Sequence, residues 1–109
     1  MKSDRFSSDA QMKKGVLEMC VLHLIREAPT YGYDVMKHIG ACFPEVSEST
    51  VYAILRRLHG DGCAEITLSH DSGGPPRKYY HITQAGVTLL ENSLDAWRRM
   101  NAALKQIGL

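Results

Sequence analysis

The hydrophobic positions of this chain recur at helical spacing in four stretches and alternate as in paired strands in one. The first helical stretch runs from about residue 10 to residue 27. A second helix is predicted over about residues 31–41, with Thr30 as its N-cap and with Gly40 and Pro44 ending it. The pattern therefore predicts two helices and a turn before the middle of the chain.

The third helix has the clearest division into an apolar and a polar side. Ser47 is its predicted N-cap. One buried stripe follows at steps of three and four residues: Val51, Ile54, Leu55 and Leu58. The opposite side carries small, hydroxyl-bearing and basic residues: Ser49, Thr50, Tyr52, Ala53, Arg56 and Arg57. Such a surface can meet the donors and acceptors of base edges in the major groove.

The segment after this helix alternates like two strands joined by a tight loop. Ala64, Ile66 and Leu68 are predicted to face inward from the first strand. The loop at residues 73–76 reads Gly-Gly-Pro-Pro, which excludes a helix or a central strand there. The return strand spans residues 77–82. The pattern predicts a β-hairpin whose tip carries two basic residues.

The last helix is predicted to begin after the N-cap Thr83 and to run to about Ile107. Its apolar face follows a heptad spacing through Val87, Leu90, Leu94, Trp97, Asn101 and Leu104. A terminal helix with its own apolar face needs a partner, and a second subunit is the natural one. Asn101 either fixes the register of such a pair or is exposed near the fraying end.

These elements predict an α+β, mostly helical fold: a winged helix-turn-helix with an added C-terminal dimerisation helix. The expected units are a flexible N-terminal arm at residues 1–9, a winged-helix DNA-binding domain at residues 10–82 and a dimerisation helix at residues 83–109. In this arrangement the third helix enters the major groove while the hairpin touches the DNA backbone. Arg77 and Lys78 at the hairpin tip suit phosphate or minor-groove contact.

Composition and charge argue against several classes of function but do not identify one. The formal net charge of +1 makes no case for nucleic acid, so the argument rests on where the charges lie. No Gly-rich phosphate loop, nucleophile elbow or suitably spaced carboxylate pair is present, so neither an enzyme nor a cofactor is predicted. The polar N-terminal segment, the lack of a membrane-spanning run and the odd count of three cysteines lead us to expect a cytoplasmic protein without a membrane partner.

Four motifs stand in order along the chain: MKKGVLEMCVLHLI from residue 12, YGYDVMKHI from residue 31, STVYAILRRLHGDG from residue 49 and GGPPRKYYHITQAG from residue 73. With these motifs the chain resembles the PadR family of bacterial transcriptional regulators over about residues 12–97. The single helix at the C-terminus is similar to the family's short subgroup.

The resemblance implies a homodimeric winged-helix regulator, usually a repressor, that binds a palindromic operator near detoxification, efflux or phenolic-acid genes. It assigns DNA contact to Tyr31, Ser49, Thr50, Tyr52, Arg56, Arg77 and Lys78. It assigns Tyr33 to the core and the dimer or ligand region to Leu90, Leu94, Trp97 and Asn101. In some short relatives a tryptophan here lines a pocket for flat aromatic molecules, so Trp97 either stacks on such an effector or simply packs the dimer core.

Alternatives to this interpretation remain. Cys20 with His23, and His38 with Cys42, have helical spacings that can contribute metal ligands, although neither pair supplies four. We assign no metal site, but a metal- or thiol-responsive regulator, with Cys63 as a further thiol, is one alternative. A winged-helix module that docks protein is another, and the basic third helix and hairpin count against it.

Overall fold

A computed structural model describes the backbone of residues 2–70 and 73–109 and the side chains of residues 13–70 and 73–109. This part of the chain holds four helices and one three-stranded sheet. In chain order the elements are α1 (Lys2–Glu27), β1 (Thr30–Tyr31), α2 (Gly32–Cys42), α3 (Glu48–Gly60), β2 (Ala64–Ser69), β3 (Arg77–Ile82) and α4 (Gln84–Ile107). The predicted α+β, mostly helical winged-helix fold is confirmed.

The sheet is antiparallel in the order β1-β3-β2, so the return strand of the hairpin lies at its centre. β2 and β3 pair from Ala64 opposite Ile82 to Ser69 opposite Arg77. The short β1 pairs Tyr31 with Tyr79. We call the β2–β3 hairpin the wing. Its pairing with β1 fixes the wing to the start of α2.

The core lies between α1, α2, α3, the first half of α4 and the inner end of the wing. All four residues of the predicted α3 stripe are buried, and the shared apolar cluster is completed by Leu17, Val21, Leu22, Ile25, Val35, Ile39, Cys63, Ala64, Tyr80 and Leu90. This burial fixes the orientation of α3, because the apolar stripe must face inward. The polar side of α3 is consequently turned outward.

Two predicted N-caps are confirmed by their hydrogen bonds. The Ser47 hydroxyl accepts from the Thr50 backbone N–H at 3.2 Å, and the Thr83 hydroxyl accepts from the Gly86 N–H at 3.1 Å. At the second cap the chain packs tightly, since a Cβ added to Gly86 would lie 2.2 Å from the Cys63 carbonyl oxygen. Gly86 therefore allows α4 to seat directly on the turn before β2.

The predicted cap and end of α2 are wrong in detail. Thr30 belongs to β1, and its hydroxyl donates to the Ala28 carbonyl at 2.8 Å instead of capping α2. The N-cap is Tyr31, which makes no side-chain cap bond, and the helix continues through Gly40. Pairing of β1 with the wing outweighed the local capping preference of Thr30.

Two further expectations concern the ends of elements. Leu68, predicted to face inward, is exposed because it pairs with Lys78 on the outer part of the wing, beyond the body of the domain. The first helix was predicted to start near residue 10, but α1 begins at Lys2, so residues 2–9 of the expected arm have a helical backbone; their side chains lie outside the described residues. The flexibility of the arm and the division of the chain at residue 83 stay predictions.

Candidate nucleic-acid interface

Five of the seven residues predicted to contact DNA line one cleft of about 340 Å³ where α2, α3 and β3 meet. They are Tyr31, Tyr52, Arg56, Arg77 and Lys78. Gly32, Tyr33, Pro76 and Tyr80 complete the lining. We call this space the basic cleft. The buried stripe of α3 presents Arg56 to it from one side, and the wing presents its two basic residues from the other.

Charge in the basic cleft has one sign. Arg56, Arg77 and Lys78 are all exposed, and no Asp or Glu is among the described residues of the lining. Three cations around one concave surface attract a polyanion more strongly than the same charges dispersed, because their fields add there. The overall charge of +1 hides this local concentration.

Cation–π contacts and tilted aromatic pairs join the wing to the start of α2. The Arg77 guanidinium lies 4.9 Å from the centre of the Tyr31 ring, and the Tyr31 ring lies 5.8 Å from that of Tyr79. On the other side Tyr33 follows at 6.1 Å from Tyr31, with the Lys37 ammonium 5.6 Å from the Tyr33 ring. The cation–π contact restricts the directions that Arg77 can take. The wing therefore offers a positioned guanidinium and not a freely moving one.

The floor of the basic cleft consists of two tyrosines closed over a glycine. A Cβ on Gly32 would meet the Tyr80 ring at 3.3 Å and the Tyr52 ring at 3.5 Å. Burial raises the pKa of Tyr52, and the charges of Glu48 and the neighbouring tyrosines raise it further. Burial also raises the pKa of Tyr80, against a lowering by Arg56. Both phenols stay neutral near pH 7, and Tyr52 can donate a hydrogen bond to an acceptor oxygen.

Ser49 and Thr50 do not line the basic cleft. Both are exposed on the first turn of α3, where their hydroxyls lie 3.1 Å and 2.9 Å from the Ser47 hydroxyl. Thr50 faces a shallow groove between α1 and α3 together with Lys14, Ala53 and Arg57. Lys14 is exposed there and was not predicted, because nothing in its own spacing indicates that α1 approaches the start of α3.

Two sequence-based assignments at this surface are wrong. Arg57, placed on the free polar side of α3, pairs with Glu18 of α1, with its Nε donating to Oε2 at 3.2 Å. Tyr33, assigned to the core, is 47% exposed, because Val35 and Ile39 form the inward stripe of α2 and position 33 lies off it. Arg56 is therefore the α3 arginine that remains turned toward the basic cleft.

On another side of the molecule α1, α2 and α4 enclose a second space of about 410 Å³, the apolar groove. Leu90, Leu94 and Trp97 line it from α4. The other lining residues come from α1, α2 and the residue after α2: Val16, Met19, Cys20, His23, Leu24, His38, Ile39, Cys42 and Phe43. Both predicted Cys–His pairs thus lie around one groove. The described residues nevertheless contain no group of three His, Cys, Asp or Glu placed to hold a metal ion.

In the part of the chain whose side chains are described, the apolar face of α4 is buried at its beginning and exposed further along. Leu90 is buried in the core of its own chain, and Leu94 is partly buried against that core. Trp97 is 44% exposed, and Met100, Leu104 and Ile107 continue the exposed apolar face. Asn101 is partly buried.

None of the helices in the described part of the chain is long and apolar enough to cross a membrane.

Comparisons with known proteins agree with this geometry. The model of the transcriptional regulator PadR-like family matches residues 21–92. An uncharacterized protein of Lysinibacillus sphaericus is 32% identical over 87 residues, which are 77% of this chain and 80% of that protein. A PadR-like transcriptional regulator from Bacillus cereus is similar in structure, with 38% identity, a TM-score of 0.78 and coverage of 89% of this chain and 95% of its own. A PadR-like transcription factor from Bacteroides fragilis has 31% identity, a TM-score of 0.79 and coverage of 94% and 99%.

Proposed function

This chain belongs to the PadR-like family of transcriptional regulators, and we propose that it acts there as a homodimeric repressor of a palindromic operator. DNA-binding regulation of transcription follows from the family, whose members are regulators and not enzymes. Repression, dimerisation and release by a small, flat aromatic ligand are the parts that we add. Each rests on a different surface of the chain.

The basic cleft is the observation that carries the DNA-binding part. Arg56 on α3 reads a base edge in the major groove, and an arginine suits the two acceptors of guanine. Arg77 and Lys78 on the wing bind phosphates of the adjacent backbone. Tyr31 and Tyr52 support these cations. At the start of α3, Ser49, Thr50 and Lys14 contact phosphates of the DNA backbone.

Dimerisation is supported by the exposed apolar face of α4. Trp97, Met100 and Leu104 lie within two turns of one helix and stay 44%, 57% and 39% exposed in the described part of the chain. A second copy of α4 buries them, and the resulting two-fold symmetry matches a palindrome whose half-sites are about 34–36 Å apart. A repressor then blocks transcription by occupying that site.

Ligand release is supported by the position of the apolar groove. Its walls come from α4 and from α1 and α2, so an occupant touches both the dimerisation helix and the DNA-binding body. In the dimer, an occupant that fits only one spacing between the two DNA-binding bodies shifts the population toward that spacing. The size of the shift is set by how much more tightly the occupant binds that form. Trp97 at the edge of the groove is suited to stack on a planar ring.

The test is fluorescence anisotropy of the purified protein with duplexes tiled across its own promoter, over a salt series. We expect saturable binding of one dimer to one palindromic duplex and much weaker binding to the same duplex with one half-site scrambled. Equal, weak affinity for every duplex, vanishing with salt, would contradict a specific repressor and favour the rival in which the wing and α3 dock a protein.

A further inference from the structure

The apolar groove contains two free thiols that come from different helices. Cys20 lies on α1 and is partly buried, whereas Cys42 is the last residue of α2 and is exposed. They are 22 positions apart in the chain, yet they face one space. Cys63, the third cysteine, is buried in the core and does not line the groove.

The two thiols are close enough to influence one another electrically. Burial raises the pKa of Cys20, and the charge of a Cys42 thiolate raises it further. Cys20 is therefore a neutral thiol near pH 7. Since the thiolate is the species that attacks peroxide, Cys20 is poorly suited to rapid oxidation. Chemistry that consumes two thiols without an oxidant suits the pair better.

The rest of the lining restricts the ligand further. Zinc prefers four nitrogen or sulfur ligands, and the described residues offer no converging group of three His, Cys, Asp or Glu. Most of the other groove residues are apolar, with Leu94 and Trp97 opposite α1 and α2. The groove therefore suits a ligand whose soft central atom bonds to two protein sulfurs and also carries an apolar organic group.

We propose that the apolar groove is a binding site for an organic trivalent arsenical, held by Cys20 and Cys42 with its organic group against Leu94 and Trp97. For an aryl arsenic oxide, two As–S bonds form while the bond between arsenic and oxygen is lost. The two thiol protons leave with that oxygen as one water molecule. Arsenic stays trivalent and no oxidant or reductant takes part. The apolar groove is the space that the proposed function gives to a releasing ligand, and this inference rests on that part by naming a ligand class for it. The site lies apart from the basic cleft and does not depend on DNA binding.

The test uses phenylarsine oxide with the full-length, reduced protein and intact-mass spectrometry. We expect one phenylarsenic group per chain, retained in excess glutathione and removed by dimercaptopropanol. Closing the second As–S bond within one molecule strengthens retention on the order of a hundredfold or more over a single bond. The fluorescence of Trp97, the single tryptophan, should change as the adduct forms.

Three serine or alanine variants separate the thiols. Cys20→Ser and Cys42→Ser should each lose the glutathione-resistant adduct, and Cys63→Ala, with both groove thiols intact, should keep it. A resistant adduct in either serine variant, an arsenic bridge between Cys42 residues of two chains, or no adduct on the wild-type protein would overturn the proposal. Anisotropy with the operator, measured on the same samples without arsenical, shows separately whether the DNA-binding proposal holds.

Discussion

Apolar side chains are buried in the body of the domain, whereas they are exposed in the distal half of α4. Every fully buried apolar side chain in the described part of the chain lies between Leu17 and Leu90. Beyond Leu94 the large apolar residues of α4 are exposed, by 39% at Leu104, 44% at Trp97, 57% at Met100 and 76% at Ile107. One continuous helix therefore begins as part of a core and ends as an uncovered surface.

The DNA-binding surface is complete in a single chain, whereas the exposed face of α4 needs a partner. The body fixes α3 and the wing through its own packing, so the basic cleft is formed without a partner. The distal part of α4 has a polar side stabilised by the Asp95–Arg99 ion pair, whereas its apolar side stays largely exposed among the described residues. A contiguous exposed apolar surface of this kind is typical of an association site. Stability, association and DNA binding should thus respond to different substitutions.

The largest effect is expected at the joint between the two regions. Gly86→Ala places a Cβ 2.2 Å from the Cys63 carbonyl oxygen and 2.6 Å from the Ile82 side chain, so α4 must shift. Overpacking against backbone should lower the free energy of unfolding by about 3 kcal/mol or more. Urea denaturation at one fixed protein concentration measures it.

The control is Gly15→Ala in α1, where the added Cβ meets nothing within 4 Å. Alanine is the better helix former, so this variant should be up to about 1 kcal/mol more stable. Similar stability of Gly86→Ala and the wild type would show that α4 is not seated on the body as described.

Trp97→Ala acts where the exposed apolar face of α4 begins. Because Trp97 is the largest side chain of that face, its loss should weaken the proposed dimer by about 2 kcal/mol, or roughly thirtyfold in Kd. Sedimentation at a series of concentrations measures the change, with Arg98→Ala as the exposed neighbour that should leave Kd unaltered. An unchanged dimer would mean that association uses another surface.

Arg56 and Arg57 are adjacent in sequence but make different contacts, so their substitutions should separate DNA binding from stability within α3. Arg56→Ala should cost about 1–3 kcal/mol of operator affinity and relax specificity at one base, with stability unchanged. Arg57→Ala breaks the partly exposed pair with Glu18 and should instead lower stability by about 0.2–1 kcal/mol. Anisotropy with the operator and urea denaturation of both variants measure these two effects. A loss of operator affinity in Arg57→Ala together with a loss of stability in Arg56→Ala would exchange the roles of the two arginines.

The smallest effect is expected from Lys78 at the wing. Lys78→Ala removes one phosphate contact, so operator and scrambled duplexes should lose affinity alike. The slope of log affinity against log salt should become shallower by about one. Anisotropy over a salt series measures it, and a loss confined to the operator would assign Lys78 to base reading.

Local signals allowed much of this fold to be predicted. The Ser47 cap, the stripe from Val51 to Leu58 and the Gly-Pro loop at residues 73–76 each act within a few residues, and they identified α3 and the wing. Since α3 and the wing flank one space in a winged helix, Arg56, Arg77 and Lys78 were found together. Their agreement with the family motifs strengthened the prediction.

The rest depended on contacts between distant parts of the chain. The two-residue β1 is too short to have a pattern of its own and exists because β3 pairs with it. The Glu18–Arg57 pair joins residues 39 positions apart, and nothing near Arg57 distinguishes it from Arg56. That Cys20 and Cys42 line one groove likewise follows from how α2 packs on α1. Spacing along one helix had suggested other cysteine partners.

In the proposed dimer, two copies of the α3–wing surface read one palindrome. Hydroxyl-radical footprinting of the promoter duplex distinguishes one bound copy from two. We expect two protected patches related by a dyad, with centres about 10–10.5 base pairs apart, and loss of both patches together in Arg56→Ala. A single protected patch at saturating protein, or uniform protection along the duplex, would contradict it.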